Sequence, residues 1–158
     1  MDKTKGFTCD KPIKEKVLRY YKTKAEEKGF VFIEDTKNNN NPFARIDLMF
    51  AVSSNTIFQN YAIEIKQRTN NEDAYKDIMF EEEKMEELKQ LEKQGYKAYF
   101  LNVFKNDSAL QYDTKVKYQT GISYQHKYTV EPNDAKHPII KIYLPKSGTG
   151  IKWINLIQ

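Results

Sequence analysis

Three charged residues interrupt runs that otherwise read as buried strands. Asp47 lies within Ile-Asp-Leu-Met-Phe-Ala-Val, and Glu64 and Lys66 lie within Ala-Ile-Glu-Ile-Lys. Both runs have the β-branched and aromatic content of strands. The connector Ser53-Ser-Asn-Thr56 has hairpin length. Strands are therefore predicted over about 43–52 and 57–67. An unpaired carboxylate inside such a strand is expensive, so it needs a metal or a base beside it.

A turn centred between Ser54 and Asn55 sets Asp47 opposite Ala62. Opposed residues share a face, and so do residues two apart. Asp47, Glu64 and Lys66 then project from one face. Ile46, Leu48, Phe50, Ile63 and Ile65 fill the other.

Two carboxylates on neighbouring strands suit a hard divalent cation, which prefers oxygen ligands. Mg²⁺ keeps several waters and can activate one of them at a phosphate. Lys66, beside the carboxylates, can orient that water or stabilise the transition state. The main-chain carbonyl of Ile65 is a further oxygen donor. One ion or two fit equally well. The competing reading of the same residues is a pair of surface ion pairs on a solvated sheet face.

The flanking sequence supplies context. Pro12 suits a first helical turn and Gly29 a helix end, which predicts a helix over about 12–28. Ile13, Val17, Tyr20, Tyr21 and Lys24 share one face of it, while the opposite face is basic and includes Glu15. Phe30–Ile33 reads as a strand. Residues 34–41, ending in four asparagines before Pro42, read as a flexible loop. A second helix is predicted from about Phe80 to Gln94, with a start as early as Ala74 left open. Ile78, Met85, Leu88 and Leu91 form its apolar stripe. Lys97–Phe104 reads as a central strand, reached by a helical crossover and so parallel to a neighbour. Ala109–Tyr112, Val116–Val130, Ile139–Leu144 and Ile151–Ile157 are further strand candidates. With no repeat or linker, residues 1–158 read as a single domain.

Composition narrows the classes. The net charge of +4 and pI near 8.9 permit a polyanionic partner. Residues 11–28 hold seven Lys/Arg against three Glu, and residues 105–158 hold eight Lys against four acids. A lone Cys9 allows no intramolecular disulfide and no zinc ribbon. His126 and His137 are too few for a zinc or HNH-type site. No apolar run approaches the ~18 residues of a membrane span, and residues 1–10 lack a signal-peptide core, so a cytoplasmic location is expected. Lys146-Ser-Gly-Thr-Gly-Ile-Lys152 lacks the order of a phosphate loop and reads as a turn. Glu81-Glu-Glu83 reads as a solvated helix face, and Trp153 as a core anchor or subunit contact.

The order helix, three strands, helix, strand, with Asp47 and then Glu64-Ile-Lys66, resembles the PD-(D/E)XK nuclease superfamily. Ile-Asp-Leu followed by Ala-Ile-Glu-Ile-Lys resembles its Holliday-junction-resolvase-like and phage-encoded members. The resemblance covers about residues 12–104. The sequence departs from the pattern at Ile46, where the motif has proline. The resemblance implies an α/β, restriction-endonuclease-like αβββαβ core with a mixed sheet, followed by a β-rich C-terminal extension over about 105–158. It implies Asp47 and Glu64 as metal ligands and Lys66 as the catalytic lysine of a deoxyribonuclease. Mg²⁺ is the implied cofactor, with Mn²⁺ as a substitute and no small-molecule cofactor.

Many members add a glutamate from the first helix. Glu15 is the candidate here, although it falls opposite the apolar stripe. Gln67, Arg68 and Lys84 are placed to contact phosphate, with an intrahelical pair to Glu81 or Glu87 the simpler reading of Lys84. Lysines of the tail such as Lys115 and Lys117 would add backbone contacts. The implied partner is DNA, with a homodimer if a four-way junction is cut and a host-cytoplasmic location if the protein is phage-encoded. The alternatives are a sequence-specific restriction or nicking enzyme, and a non-catalytic nucleic-acid-binding or assembly protein on a nuclease-like fold.

Overall fold

Helix α1 (Lys11–Glu27) buries Ile13, Val17 and Ala25 along one stripe. Gly29 ends it at φ +79°, a left-handed conformation that only glycine adopts freely. The chain then runs through β1 (Val31–Glu34), α2 (Thr36–Asn39), β2 (Leu48–Ser53), β3 (Phe58–Gln67), β4 (Ile78–Glu81), α3 (Glu82–Lys93) and β5 (Lys97–Val103). It closes with β6 (Ser108–Asp113), β7 (Gln119–Gln125), β8 (His137–Leu144) and β9 (Ile151–Asn155). The computed structural model describes residues 11–125 and 137–157. Residues 1–10 with Cys9, His126 and the end of the predicted Val116–Val130 strand lie outside those residues. No described helix is long and apolar enough to cross a membrane.

Six strands form one mixed sheet in the order β1-β2-β3-β5-β6-β9. Only β3 and β5 run parallel in it, joined by the α3 crossover; the other neighbours are antiparallel. A second, three-stranded antiparallel sheet has the order β4-β8-β7. The predicted αβββαβ order is present, with α2 and β4 inserted into it.

Alternation along β3 divides the core. Ile63 and Ile65 face α1 and pack with Ile13, Val17, Leu48, Phe50 and Leu101. Ala62 faces α3 and packs with Met85, Leu88 and Phe100, together with Ile78, Phe80, Ile142 and Leu144 of the small sheet. Phe80 lies flat on Phe100, with ring centroids 3.7 Å apart. Each such buried side chain contributes about 1.5–3 kcal/mol.

Four local expectations are corrected. The first is the hairpin register. Ser54 N–H donates to the Ile57 carbonyl at 2.8 Å, and Ser54 Oγ accepts from the N–H groups of Thr56 and Ile57. This serine turn is centred one residue later than predicted, between Asn55 and Thr56. Ala62 therefore faces Met49, and Leu48 faces Ile63. One step further along the same register, Asp47 falls beside Glu64 instead of Ala62. Moving the centre by one residue shifts pairings by two, so each side chain keeps its face.

The second is Ile46, which precedes β2 in a bend and joins the α3-side core rather than the α1 side. The third is the segment over 34–41, which forms a capped helical turn instead of a flexible loop. Asp35 accepts the Asn38 N–H at 3.0 Å. Buried Asn39 brackets Met49, accepting its N–H at 2.8 Å and donating to its carbonyl at 3.1 Å. The fourth is the stretch before α3. Ile78 and Phe80 are buried while Met79 is exposed, a period-two pattern that belongs to strand β4. Pairing with β8, distant in sequence, overrides the helical reading.

Candidate active site

Strand pairing between β2 and β3 stops at Leu48 and Ile63. Beyond that point the Ile65 N–H has no β2 residue opposite it, and Asp47 Oδ2 accepts it at 2.7 Å. The bond draws the Asp47 side chain across the gap to the Glu64 side chain. Both carboxyls are sequestered, with Asp47 8% and Glu64 7% exposed.

Their proximity has an electrostatic signature. Burial pushes the Glu64 carboxyl well above the ordinary carboxylate range, and the hydrogen bond to Asp47 and its charge push the same way. Lys84 from α3 opposes them, with Nζ 3.3 Å from Glu64 Oε2. Lys84 also donates to the Arg45 carbonyl at 3.1 Å and lies 3.9 Å from Glu87 Oε2. Burial pulls the Lys84 ammonium down, but Glu64 and Glu87 together raise it above the ordinary lysine value. Arg45 reaches the other Glu87 oxygen at 2.6 Å. The principal partner of Lys84 is thus the strand carboxylate, and the predicted intrahelical pair with Glu87 is the longer contact.

Lys66 lies two residues beyond Glu64 and shares its face by alternation. It is exposed and makes no ion pair among the described residues. Gln67, next along, is exposed at the end of β3. Arg68 is half-buried and structurally engaged. Its Nε donates to Asn102 Oδ1 at 2.7 Å and its guanidinium donates to the Met79 carbonyl, which ties β5 to β4. Burial lowers its pKa from the ordinary arginine value. Glu15 is exposed on α1, which packs against the Ile63 and Ile65 face, so the structure does not bring it to Asp47 and Glu64. Away from this site, Glu81 pairs with Lys141 at 3.5 Å. Trp153 stacks on Phe104 yet stays 44% exposed.

The donor set fits a divalent cation. Two adjacent buried carboxyls form a like-charge pair that requires a shared proton or a cation. Glu64 Oε2 is buried without a hydrogen bond, the Lys84 contact being an ion pair of poor hydrogen-bond geometry. No group of three or more His, Cys, Asp or Glu suited to a metal occurs among the described residues, so further ligands at this pair would be water or main-chain oxygen.

Three participants were not singled out from the sequence. Arg45 carried no sequence signal, and Glu87 entered only as an intrahelical partner of Lys84, not as a neighbour of the strand carboxyls. Asn102 sits opposite Lys66 in the β3–β5 register and is fully buried, with no hydrogen-bond partner for Nδ2 among the described residues. A lone amide in the apolar run Ala-Tyr-Phe-Leu-Asn-Val-Phe was its available signal.

No family model matches this sequence, and no curated protein matches it. Among solved structures the chain is similar to Archaeoglobus fulgidus Hjc, a Holliday junction resolvase from an archaeal hyperthermophile. The TM-score is 0.40 and the identity 14%, over 77% of this chain and 83% of that one. A likeness at that level leaves the chemistry of the site to the residues of this chain.

Proposed function

We propose that this chain is a divalent-metal-dependent phosphodiesterase that cuts DNA, with branched DNA among its candidate substrates. The supporting observation is the convergence of two buried carboxyls, Asp47 and Glu64, with Lys66 on the same strand face. Asp47, Glu64 and the Ile65 carbonyl would hold Mg²⁺, or Mn²⁺ in its place. Bound there, the ion supplies a lowered pKa for a coordinated water and neutralises charge on the phosphate.

The chain's own groups divide the remaining work. The Ile65 N–H fixes Asp47. The Lys66 ammonium, without an ion pair among the described residues, would offset charge building on the phosphate oxygens. Exposed Lys115 and Lys117, flanking Val116 on the α3 side of the sheet, would hold the DNA backbone, so binding would weaken steeply with salt. Cutting both strands of a junction would require two such sites on a symmetric dimer.

The test is incubation of wild type, Asp47→Ala and Lys66→Ala with linear duplex, single-stranded and four-way-junction DNA, in Mg²⁺ or EDTA. Metal-dependent cutting by the wild type alone is the expected result. DNA binding without cutting under any condition would overturn the enzyme reading. One observation favours the non-catalytic reading: Lys84 Nζ lies 3.3 Å from Glu64 Oε2, a charge pairing that a structural role alone would account for.

A further inference from the structure

Two buried carboxylate oxygens without a hydrogen bond among the described residues, Glu64 Oε2 and Glu87 Oε2, lie within ion-pair reach of one ammonium group. Lys84 Nζ is 3.3 Å from the first and 3.9 Å from the second. The Arg45 carbonyl anchors the same ammonium at 3.1 Å, and Arg45 Nη2 fixes Glu87 through its other oxygen at 2.6 Å. The arrangement therefore offers Lys84 two carboxylates around a single pivot. Only one of them belongs to the Asp47–Glu64 pair.

We infer that Lys84 is a two-position counter-cation, resting on Glu64 while no divalent ion is bound and moving to Glu87 when one takes Glu64. The inference rests on the metal-site reading above. In the first position the ammonium offsets the cost of an ionised Glu64 buried beside Asp47. In the second, Glu87 receives the displaced charge, so the incoming ion does not have to expel Lys84 to solvent. A cation held so close to the ligand pair also makes metal binding weaker than the carboxylates alone would give.

Mn²⁺ affinity measured by calorimetry at pH 8, without DNA, tests this. The proteins are wild type, Lys84→Gln, Lys84→Met, Glu87→Gln and the double variant Lys84→Gln/Glu87→Gln. Asp47→Asn serves as the site control. Neutralising Lys84 by either substitution should tighten Mn²⁺ binding about tenfold. Glu87→Gln should weaken it in the wild-type background, and that loss should vanish once Lys84 is neutral. Equal Mn²⁺ affinity in wild type and both Lys84 variants, with loss in Asp47→Asn, overturns the counter-cation role while leaving the metal site intact. A Glu87→Gln effect of the same size in both backgrounds overturns the second position. Binding to none of the proteins, or binding that Asp47→Asn does not reduce, overturns the metal site and the inference together.

Discussion

Asp47 Oδ2 accepts the backbone N–H of Ile65 across 2.7 Å, at the point where β2 has stopped pairing with β3. One carboxylate oxygen thus replaces a missing ladder bond while the side chain is held against Glu64. Structural and chemical roles meet in one side chain, and they separate by substitution. Asp47→Asn keeps an acceptor oxygen for Ile65 but lacks the charge. It should retain most of the stability, within about 1 kcal/mol in urea unfolding, while losing metal-dependent cutting.

Glu64 sets a pH dependence of known sign. Its carboxyl titrates well above its ordinary value in the folded chain, chiefly through burial. Between about 4.3, the unfolded value, and that raised value, the native state keeps a proton that the unfolded chain has released. The stabilisation is complete below the unfolded value and is lost as pH rises through the folded one. Glu64→Gln, which cannot titrate, should lack this decline. Denaturation midpoints of both proteins across that pH range in EDTA would show it as a difference that changes with pH.

Lys66 should separate activity from stability. It is exposed, with no ion pair among the described residues. Lys66→Ala should leave unfolding free energy within about 0.5 kcal/mol of wild type. Cleavage should fall roughly 10²- to 10³-fold, the usual cost of removing one group that stabilises developing charge. A melting curve and a single-turnover cleavage assay on the same preparation suffice.

Asn39 should behave in the opposite way to Lys66. Its amide satisfies both the N–H and the carbonyl of Met49, two residues after Asp47. Asn39→Ala leaves those groups without their partner at a cost of about 1–3 kcal/mol. Mn²⁺ affinity should weaken with it, because the backbone leading out of the Asp47 bend loses its brace. Chemical denaturation and calorimetry would measure the two effects.

Arg68 tests a role suggested by position alone. Its guanidinium is committed to Asn102 and to the Met79 carbonyl. Arg68→Ala should therefore destabilise the fold by about 1–3 kcal/mol, with no change in the salt slope of DNA binding. A slope reduced by about one would instead identify a phosphate contact.

The αβββαβ element order of the core, the central parallel strand and the shared face of Asp47, Glu64 and Lys66 were legible in the sequence. They depend on alternation and on local breaks such as Gly29 and Gly95, which each segment contains. The Asp47–Glu64 adjacency was misplaced because Ser54 rather than Ser53 opens the turn. The face was still right, since the error was an even number of residues. β4 was hidden because Ile78 also falls on the helical stripe of Met85, Leu88 and Leu91; pairing with the distant β8 decides for the strand. Lys84's link to Glu64 was obscured in the same way, since an i,i+3 partner in Glu87 was visible and a cross-element one was not.

The pairing of β4 with β8 bears on how divisible this chain is. α3 begins at Glu82, directly after β4 ends at Glu81, so Lys84 takes its position from a strand supplied by residues 137–144. A fragment ending near Phe104 would contain Asp47, Glu64 and Lys66 in full. It would also expose Ile78 and Phe80 and leave α3 with a loose leading end. The C-terminal strands are not an accessory that could be trimmed or exchanged without cost, and grafting the motif-bearing portion onto another protein would not transplant the charge geometry around Glu64.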